Sequence, residues 1–176
     1  AETALRRALD LQPGLHDAQN NLANLLKAKG EYEDAETGYR AAISAKPDFA
    51  GAWNNLGNLL EERGHTDDAL DALQKATDLA PDFAGAHSNL GALLLRIGQT
   101  EAAEASLRRA LEIAPNMPEA HEHLGILHMQ RRQYESAAEH LRSARGNGSE
   151  SASVRLNLAN ALRGMGRLTE ATAEAN

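Results

Sequence analysis

The chain repeats itself every 34 residues. The eighteen residues that begin at Pro47, PDFAGAWNNLGNLLEERG, return from Pro81 as PDFAGAHSNLGALLLRIG. Apolar and polar letters recur in register, which low sequence complexity does not produce. A fixed period of this length predicts an array of equivalent units, each packed on its neighbours. The landmarks that keep the period are Pro13, Pro47, Pro81 and Pro115; Leu22, Leu56, Leu90, Leu124 and Leu158; Ala8, Ala42, Ala76, Ala110 and Ala144; and Ala35, Ala69, Ala103, Ala137 and Ala171.

The composition favours helices as the content of each unit. Hydrophobic residues make up 42% of the chain but aromatic residues only 3%, and Val154 is the single valine. A core of this kind is built from leucine and alanine, which suit close-packed helices better than sheets. The sequence therefore predicts an all-α protein.

Each unit is predicted to form two antiparallel helices. In residues 50–83, apolar residues at helical spacing follow Asp48, a candidate helix cap. Gly64 is predicted to end this first helix because glycine adopts positive φ at little cost, and Thr66 is a candidate cap for the second helix. The same turn position holds Gly30, Gly98 and Gly166, but Arg132 in the fourth unit.

This arrangement resembles the tetratricopeptide repeat, and the resemblance covers essentially the whole chain. It implies a right-handed α-solenoid superhelix of antiparallel helix pairs. The residues that carry the resemblance are Trp53, Leu56, Gly57, Leu60, Ala69, Leu73, Ala76 and Pro81. The predicted units are the second helix of a preceding partial repeat at 1–15, full repeats at 16–49, 50–83, 84–117 and 118–151, and a partial repeat at 152–176.

The repeat at 118–151 is predicted to have an irregular end. It finishes with SARGNGSES where the repeat at 50–83 reads KATDLAPDF, and it lacks the proline of the other repeats. Gly146 and Gly148 lower helix stability. We expect a shortened second helix followed by a looser loop that acts as a local hinge.

The family resemblance implies that an extended peptide is held in a concave groove lined by the first helix of each repeat. Asparagine is a poor helix former, but its amide has two donors and an acceptor for a peptide backbone. The pattern resembles the asparagine ladder of O-linked N-acetylglucosamine transferase arrays. The alternative is that these amides join adjacent helices and hold the superhelix together. The predicted groove residues are Asn20, Asn21, Asn24, Asn54, Asn55, Asn58, Asn89, His123, Asn157 and Asn160.

A related family precedent does not fit. Tetratricopeptide domains that grip the acidic C-termini of chaperones use a clamp of two asparagines and three cations. The corresponding residues here provide the asparagines but no cation, so a free carboxylate finds no bidentate partner. These residues are Asn20, Asn24, Asn55, Gly85 and Asn89.

The predicted groove changes character along the chain. Near the asparagines it carries the acidic Glu61 and Glu62, whereas further on it is lined by Leu95, Ile126 and Met129. An extended ligand with one apolar segment suits this gradient, because anchor residues occupy desolvated pockets.

Three histidines in HEHLGILHM invite a metal-site hypothesis. His121 and His128 fall at positions that pack between helices, while His123 points into the predicted groove, so they do not share one face. We expect packing roles, with His121 taking the place of Trp53, and no metal or other cofactor.

Charge and motifs narrow the function further. The net charge is −7 and no basic stripe is visible, which disfavours nucleic acid as a partner. No apolar run reaches the roughly 20 residues that span a bilayer, so we expect no direct membrane insertion. The chain has no cysteine, which fits a reducing compartment, and we expect a cytoplasmic location. There is no phosphate loop, zinc motif or nucleophile elbow, and the chain is predicted not to be an enzyme.

The leading hypothesis is a protein-interaction module that binds a peptide or partner helix. Two alternatives stay open. One is a recognition arm of a larger glycosyltransferase or sulfotransferase whose catalytic domain lies outside this fragment. The other is a self-assembling scaffold, since neither end of the array has a polar cap. At the first end we expect Leu5, Leu9 and Leu11 to turn inward, and at the other end Leu168 lacks a following repeat.

Overall fold

A computed structural model describes residues 1–149 and 151–175, without the side chain of Ala175. The described residues form eleven α-helices and no strand. They are α1 Glu2–Leu11, α2 His16–Ala28, α3 Tyr32–Ala45, α4 Ala50–Glu62, α5 Thr66–Leu79, α6 Ala84–Arg96, α7 Thr100–Ile113, α8 Pro118–Gln130, α9 Tyr134–Gly146, α10 Ala152–Gly164 and α11 Leu168–Ala175.

The helices divide into two compact units. The first unit is Ala1–Ala86, and the second begins at His87, inside α6. In the first unit α1 packs on α2, α2 on α3, α3 on α4 and α4 on α5. In the second unit α7 packs on α8, α8 on α9, α9 on α10 and α10 on α11. The first helices of neighbouring repeats also touch, α2 with α4 and α8 with α10.

Close approach of the two helices in a repeat depends on a glycine in the first helix. A Cβ on Gly57 would lie 2.6 Å from Cγ of Leu73, and one on Gly125 would lie 2.6 Å from Cγ of Leu141. Both leucines are fully buried, with 0% of their surface exposed. Since such a separation is far below van der Waals contact, the leucine fills the space that a larger residue would take.

The predicted turn after each first helix is confirmed. Gly30, Gly64, Gly98 and Gly166 all adopt φ between 76° and 81°. Arg132, in the same position, has φ 58° and is the only residue other than glycine with positive φ in the described chain. The fold imposes a left-handed residue here even where the sequence has no glycine, at an energetic cost.

The predicted caps are wrong. Helix α4 begins after Phe49, not Asp48, and α5 begins after His65, with Thr66 already inside the helix. Neither cap residue makes a side-chain hydrogen bond to the helix. Ser151, before α10, does accept one from the backbone N–H of Ser153. Helices α2, α3, α7, α8 and α9 likewise begin without a side-chain cap hydrogen bond.

The second helix of the irregular repeat is one residue shorter than those of the three preceding repeats. Helix α9 has 13 residues, whereas α3, α5 and α7 have 14. It ends at Gly146; two residues later Gly148 takes φ 103°, and Ser149 donates its backbone N–H to Ala144 O.

The expectation for Leu11 is wrong. Its side chain is 81% exposed, because α1 packs on α2 with one side only and Leu11 is its last residue. Leu5 and Leu9 are half-buried.

Ion pairs join successive repeats at one recurring position. Arg63 binds Glu36 at 2.5 Å and Glu33 at 2.9 Å, both on the second helix of the preceding repeat. Arg131, 68 residues later, binds Glu104 and also lies 3.5 Å from Glu101. In the fifth repeat Met165 stands at this position and packs against the apolar core.

Candidate amide face and histidine cluster

Asparagine side chains link α2 to α4 in the first unit. Nδ2 of Asn55 donates to Oδ1 of Asn20 across 3.0 Å, and Nδ2 of Asn54 lies 3.5 Å from Oδ1 of Asn55. Asn20 and Asn54 are each 7% exposed, while Asn55 is half-buried. The buried amides therefore hold a more accessible amide in place. We call the six asparagines of these two helices the amide face: Asn20, Asn21, Asn24, Asn54, Asn55 and Asn58.

Asn24 is oriented by a tyrosine beneath it. The hydroxyl of Tyr39, in α3, donates to Oδ1 of Asn24 at 2.7 Å. Tyr39 is buried, and this burial, together with the negative charge of Glu62, raises the pKa of its phenol to about 12. The hydroxyl therefore stays protonated and remains a donor. Since the oxygen of Asn24 is held by the tyrosine, its NH₂ group is left for other partners.

The rest of the amide face differs in accessibility. Asn21 is exposed and Asn58 is half-buried. Within residues 1–149 and 151–175, neither amide makes a side-chain hydrogen bond to the protein. The face thus combines amides fixed by protein contacts with two amides that make no side-chain hydrogen bond within the described residues.

The predicted groove residues of the second unit are less connected. Nδ2 of Asn157 lies 3.4 Å from Oγ of Ser153, in the same helix α10. Asn160 is half-buried, as are Asn89 and His123, both of which have protein partners. In the second unit, most of the asparagines predicted to line the groove therefore lie on α10.

The predicted apolar residues divide between core and surface. Leu95 is 7% exposed and therefore belongs to the core, where it offers almost no surface to a ligand. Met129 is half-buried and packs against the core of the last repeats, whereas Ile126 is half-buried. Sequence analysis missed Leu156, which is 61% exposed on α10. It occupies the repeat position of Asn20 and Asn54, and this shared position is the signal that could have identified it.

Three histidines form a cluster between α8 and α9. Nδ1 of His121 and Nδ1 of His140 lie 3.0 Å apart, and the rings of His128 and His140 stack at 5.4 Å. Nε2 of His121 lies 3.0 Å from the carbonyl oxygen of Pro115, so this nitrogen carries the proton and Nδ1 accepts from His140. Nδ1 of His128 is 2.7 Å from Oε1 of Gln133. His140, on the second helix, was not found from the sequence.

In the fourth repeat, the histidine cluster occupies the positions that form an apolar slot in the second repeat. His121, His128 and His140 stand 68 residues after Trp53, Leu60 and Ala72, which line one cavity together. Burial, followed by the charges of His121, His128 and Arg108, lowers the pKa of His140 to about 4. The ring is therefore neutral at physiological pH. In the described chain, no three histidine, aspartate or glutamate side chains are arranged to hold a metal ion.

The length and polarity of the helices bear on the expectation about membranes. Along the residues that the structure describes, every helix is too short or too polar to cross a bilayer.

Taken together, stacked helix pairs and a polar face on the first helices define a helical-repeat protein of the protein-interaction type.

The family assignment follows from the sequence match. The family model for the tetratricopeptide repeat matches residues 1–48, 20–81, 54–118 and 123–176. The chain belongs to this family, whose repeats typically serve as non-catalytic interaction scaffolds. No curated protein sequence matches the chain.

Solved structures share the fold. PilF from Pseudomonas aeruginosa is 24% identical, with a TM-score of 0.87 over 97% of this chain and 78% of PilF. YrrB, described as a tetratricopeptide protein with an unusual peptide-binding site, is 22% identical, with a TM-score of 0.78 over 99% and 92% of the two chains. MamA from Desulfovibrio magneticus is 20% identical, with a TM-score of 0.76 over 90% of each chain. These similarities support the all-α repeat fold.

Proposed function

We propose that the chain binds an extended segment of a partner protein and that the amide face of α2 and α4 contacts the segment's backbone. The observation that carries this proposal is the pair formed by Asn20 and Asn55. Their hydrogen bond fixes the Asn55 amide at the junction of two first helices while leaving one of its two N–H groups unused.

The chemistry of the amide suits recognition of a backbone. An asparagine side chain donates and accepts as a peptide group does, so it can pair with the N–H and C=O of an extended segment. Backbone pairing tolerates many partner sequences. Tyr39 already orients Asn24, and Asn20 already orients Asn55. Binding therefore costs less free energy, because these two side chains are ordered before the partner arrives.

Side-chain selection is proposed for the second unit. Leu156 exposes 61% of its surface on α10, and Ile126 is half-buried on α8, the helix that α10 contacts. Burial of a leucine side chain by a ligand contributes about 1.5–3 kcal/mol. We expect this unit to favour a partner with an apolar residue.

The structural alternative for the asparagines has support as well. The bond between Asn55 and Asn20 joins neighbouring repeats and thereby stabilises their packing. A net contribution of about 0.5–1.5 kcal/mol is typical of such a bond. The two roles are compatible, since an amide has more hydrogen-bonding groups than this contact uses.

The proposal is tested with a peptide array. Wild type is compared with a variant that carries both Asn55→Ala and Asn58→Ala, two half-buried residues of the amide face. We expect the variant to lose binding to peptides of unrelated sequence, and we expect N-methylation of the peptide backbone to weaken binding to wild type. A matched control carries Asn116→Ala and Asn147→Ala, two exposed asparagines outside the amide face. Equal binding by wild type and the first variant, with both folded, would leave the asparagines only their structural role.

Self-association is a second candidate function. Leu156 and Leu168 are each 61% exposed, and large exposed apolar side chains favour contact with other chains. Sedimentation at several concentrations distinguishes the cases. A mass that rises with concentration and falls in Leu168→Gln supports self-association, and a constant monomer mass rules it out.

A further inference from the structure

The turn that follows α9 contains an asparagine with a glycine directly after it. Asn147 and Gly148 are the one Asn-Gly pair in the sequence. Asn147 is the C-cap residue of α9, and both residues are exposed. Among the residues that the structure describes, and apart from its chain neighbours, no atom lies within 4 Å of a Cβ built on Gly148. The Asn147 side chain is therefore followed by an uncrowded backbone nitrogen.

An asparagine followed by a glycine can react with its own backbone. The nitrogen of the glycine loses its proton to solvent and attacks Cγ of the asparagine, while the side-chain nitrogen takes up a proton and leaves as ammonia. Water then opens the resulting succinimide ring at either of its carbonyl groups. The products are aspartate and its isomer, in which the chain continues through the side-chain carboxyl group. Glycine favours this reaction because it has no Cβ to shield its nitrogen or to restrict backbone rotation.

The folded turn restrains the attacking nitrogen through a hydrogen bond at the end of the helix. The N–H of Gly148 donates to the carbonyl oxygen of Arg145 at 3.1 Å, and Asn147 has ψ 12°. Attack on Cγ requires this bond to break and the backbone to rotate about the Cα–C bond of Asn147. Because the bond closes the exposed last turn of α9, opening it costs little compared with unfolding the repeat. We therefore expect the reaction to proceed through brief openings of the turn.

Positive charge lies beside the reacting atoms. Gly148 lines a surface cavity of about 510 Å³ together with Arg145 and Arg155. The attack passes through a deprotonated amide nitrogen and an oxyanion on Cγ, and a nearby cation stabilises both of these negative charges. Arg145 forms an ion pair with Glu174, which offsets part of its charge. Arg155 is therefore the cation that we expect to accelerate the reaction more.

From the sequence, exposure and surrounding charge of this turn we infer that Asn147 is a site of spontaneous deamidation, with the nitrogen of Gly148 as the nucleophile and water as the co-reactant. The aspartate product adds a negative charge at the C-terminal end of α9. The isomer also adds an atom to the backbone that connects α9 with α10. Because Asn147 lies outside the amide face, the modification does not depend on the proposed peptide binding.

The first test is peptide mapping by mass spectrometry after incubation of the full chain in heavy-oxygen water at mildly alkaline pH. Conversion places a heavy oxygen atom in the residue, which marks the product formed during the incubation. We expect this label at Asn147 and far less of it at Asn116, an exposed asparagine that is followed by Met117. Asn147→Gln is the matched control, because glutamine keeps the amide but cyclises much less readily through its larger ring, and it should remain unlabelled.

The second test measures what the structure contributes to the rate. Arg155→Gln should slow the conversion about 2- to 5-fold, whereas Arg163→Gln, at another exposed arginine of α10, should leave it unchanged. Equal rates in these two variants would remove the contribution assigned to Arg155. The folded chain should convert no more than about 10-fold more slowly than the chain unfolded in guanidinium. Labelling of Asn147 in the unfolded chain alone, or equal labelling of Asn116 and Asn147 in the folded chain, would overturn the inference.

Discussion

The second and fourth repeats have the same frame but different linings. By frame we mean the packing of the helices on each other and on the preceding repeat, and by lining the side chains in the slot between the two helices. Both pack a leucine into the space beside a glycine, at Gly57 and at Gly125, and both join the preceding repeat through an arginine. The slot that holds Trp53 in one repeat holds His121 in the other, together with two further histidines. Spacing and small residues therefore define the frame, while the slot accepts apolar or titratable side chains without a change of fold.

The largest effect is expected from the shared frame. Gly57→Ala and Gly125→Ala each place a Cβ 2.6 Å from a leucine Cγ. Overpacking of this kind costs about 1–3 kcal/mol of unfolding free energy, partly offset by the better helix propensity of alanine. We expect similar losses in the two repeats, measured by urea unfolding.

Gly146→Ala is the control for this pair. No atom lies within 4 Å of the added Cβ, so only a helix-propensity gain remains, and at the last residue of α9 it is less than the roughly 1 kcal/mol of a helix interior. Very different losses for Gly57→Ala and Gly125→Ala would show that the two frames are not equivalent.

Acid should destabilise the fourth repeat more than the second. His140 has a folded-state pKa of about 4, below the ordinary value of 6.5, because it is buried beside other histidines and Arg108. The neutral ring therefore stabilises the fold fully above pH 6.5, and this contribution is lost as the pH falls from 6.5 towards 4. Allowing for partial exposure of the ring, the loss is about 1–2 kcal/mol.

The substitution His140→Ala, which copies Ala72 of the second repeat, should reduce this acid sensitivity. The measurement is the difference in unfolding free energy between wild type and variant at pH 7 and pH 4.5. His65→Ala, at an exposed residue, serves as the control. The assignment of the sensitivity to the cluster is contradicted if the wild type and His140→Ala lose the same stability on acidification.

The turn after the first helix can be tested by exchanging arginine and glycine between the fourth and second repeats. Arg132 has φ 58° where Gly64 has φ 80°. A residue with a Cβ costs about 1 kcal/mol in this conformation, so Arg132→Gly should stabilise the chain and Gly64→Arg should destabilise it by a similar amount. Thermal unfolding of both variants checks the signs, and a loss of stability in Arg132→Gly would mean that the arginine makes a compensating contact.

The smallest effect is expected from the ion pairs. Arg63→Met and Arg131→Met copy Met165 of the fifth repeat and should each cost no more than about 1 kcal/mol, since these pairs are partly exposed. The loss should shrink in 1 M salt, where charges are screened within about 3 Å. A loss that does not change with salt would indicate packing by the arginine stem as the main contribution.

The period of the sequence predicted the frame well. Prolines, leucines and the turn glycines recur at fixed spacing because each repeat must meet the same neighbours, and this requirement is visible in one dimension. The candidate caps Asp48 and Thr66 were wrong because Phe49 and His65 stand at the cap positions and neither makes a side-chain hydrogen bond to the helix.

The linings were harder to predict because they combine residues of several helices. His140 lies 19 residues beyond His121, on the second helix of the repeat, and only alignment of the repeats shows that both enter one slot. The burial of Leu95 and the exposure of Leu156 depend on how neighbouring helices cover them.

The central claim is that asparagine amides of the first helices contact a partner's backbone. The most direct measurement is the shift of side-chain NH₂ signals in the NMR spectrum of the ¹⁵N-labelled chain as a peptide selected on the array is added. The account predicts that the signals of Asn21, Asn24, Asn55 and Asn58 move with the binding isotherm while those of Asn116 and Asn147 stay unchanged. A peptide that binds the folded chain and leaves the signals of the amide face in place would contradict it.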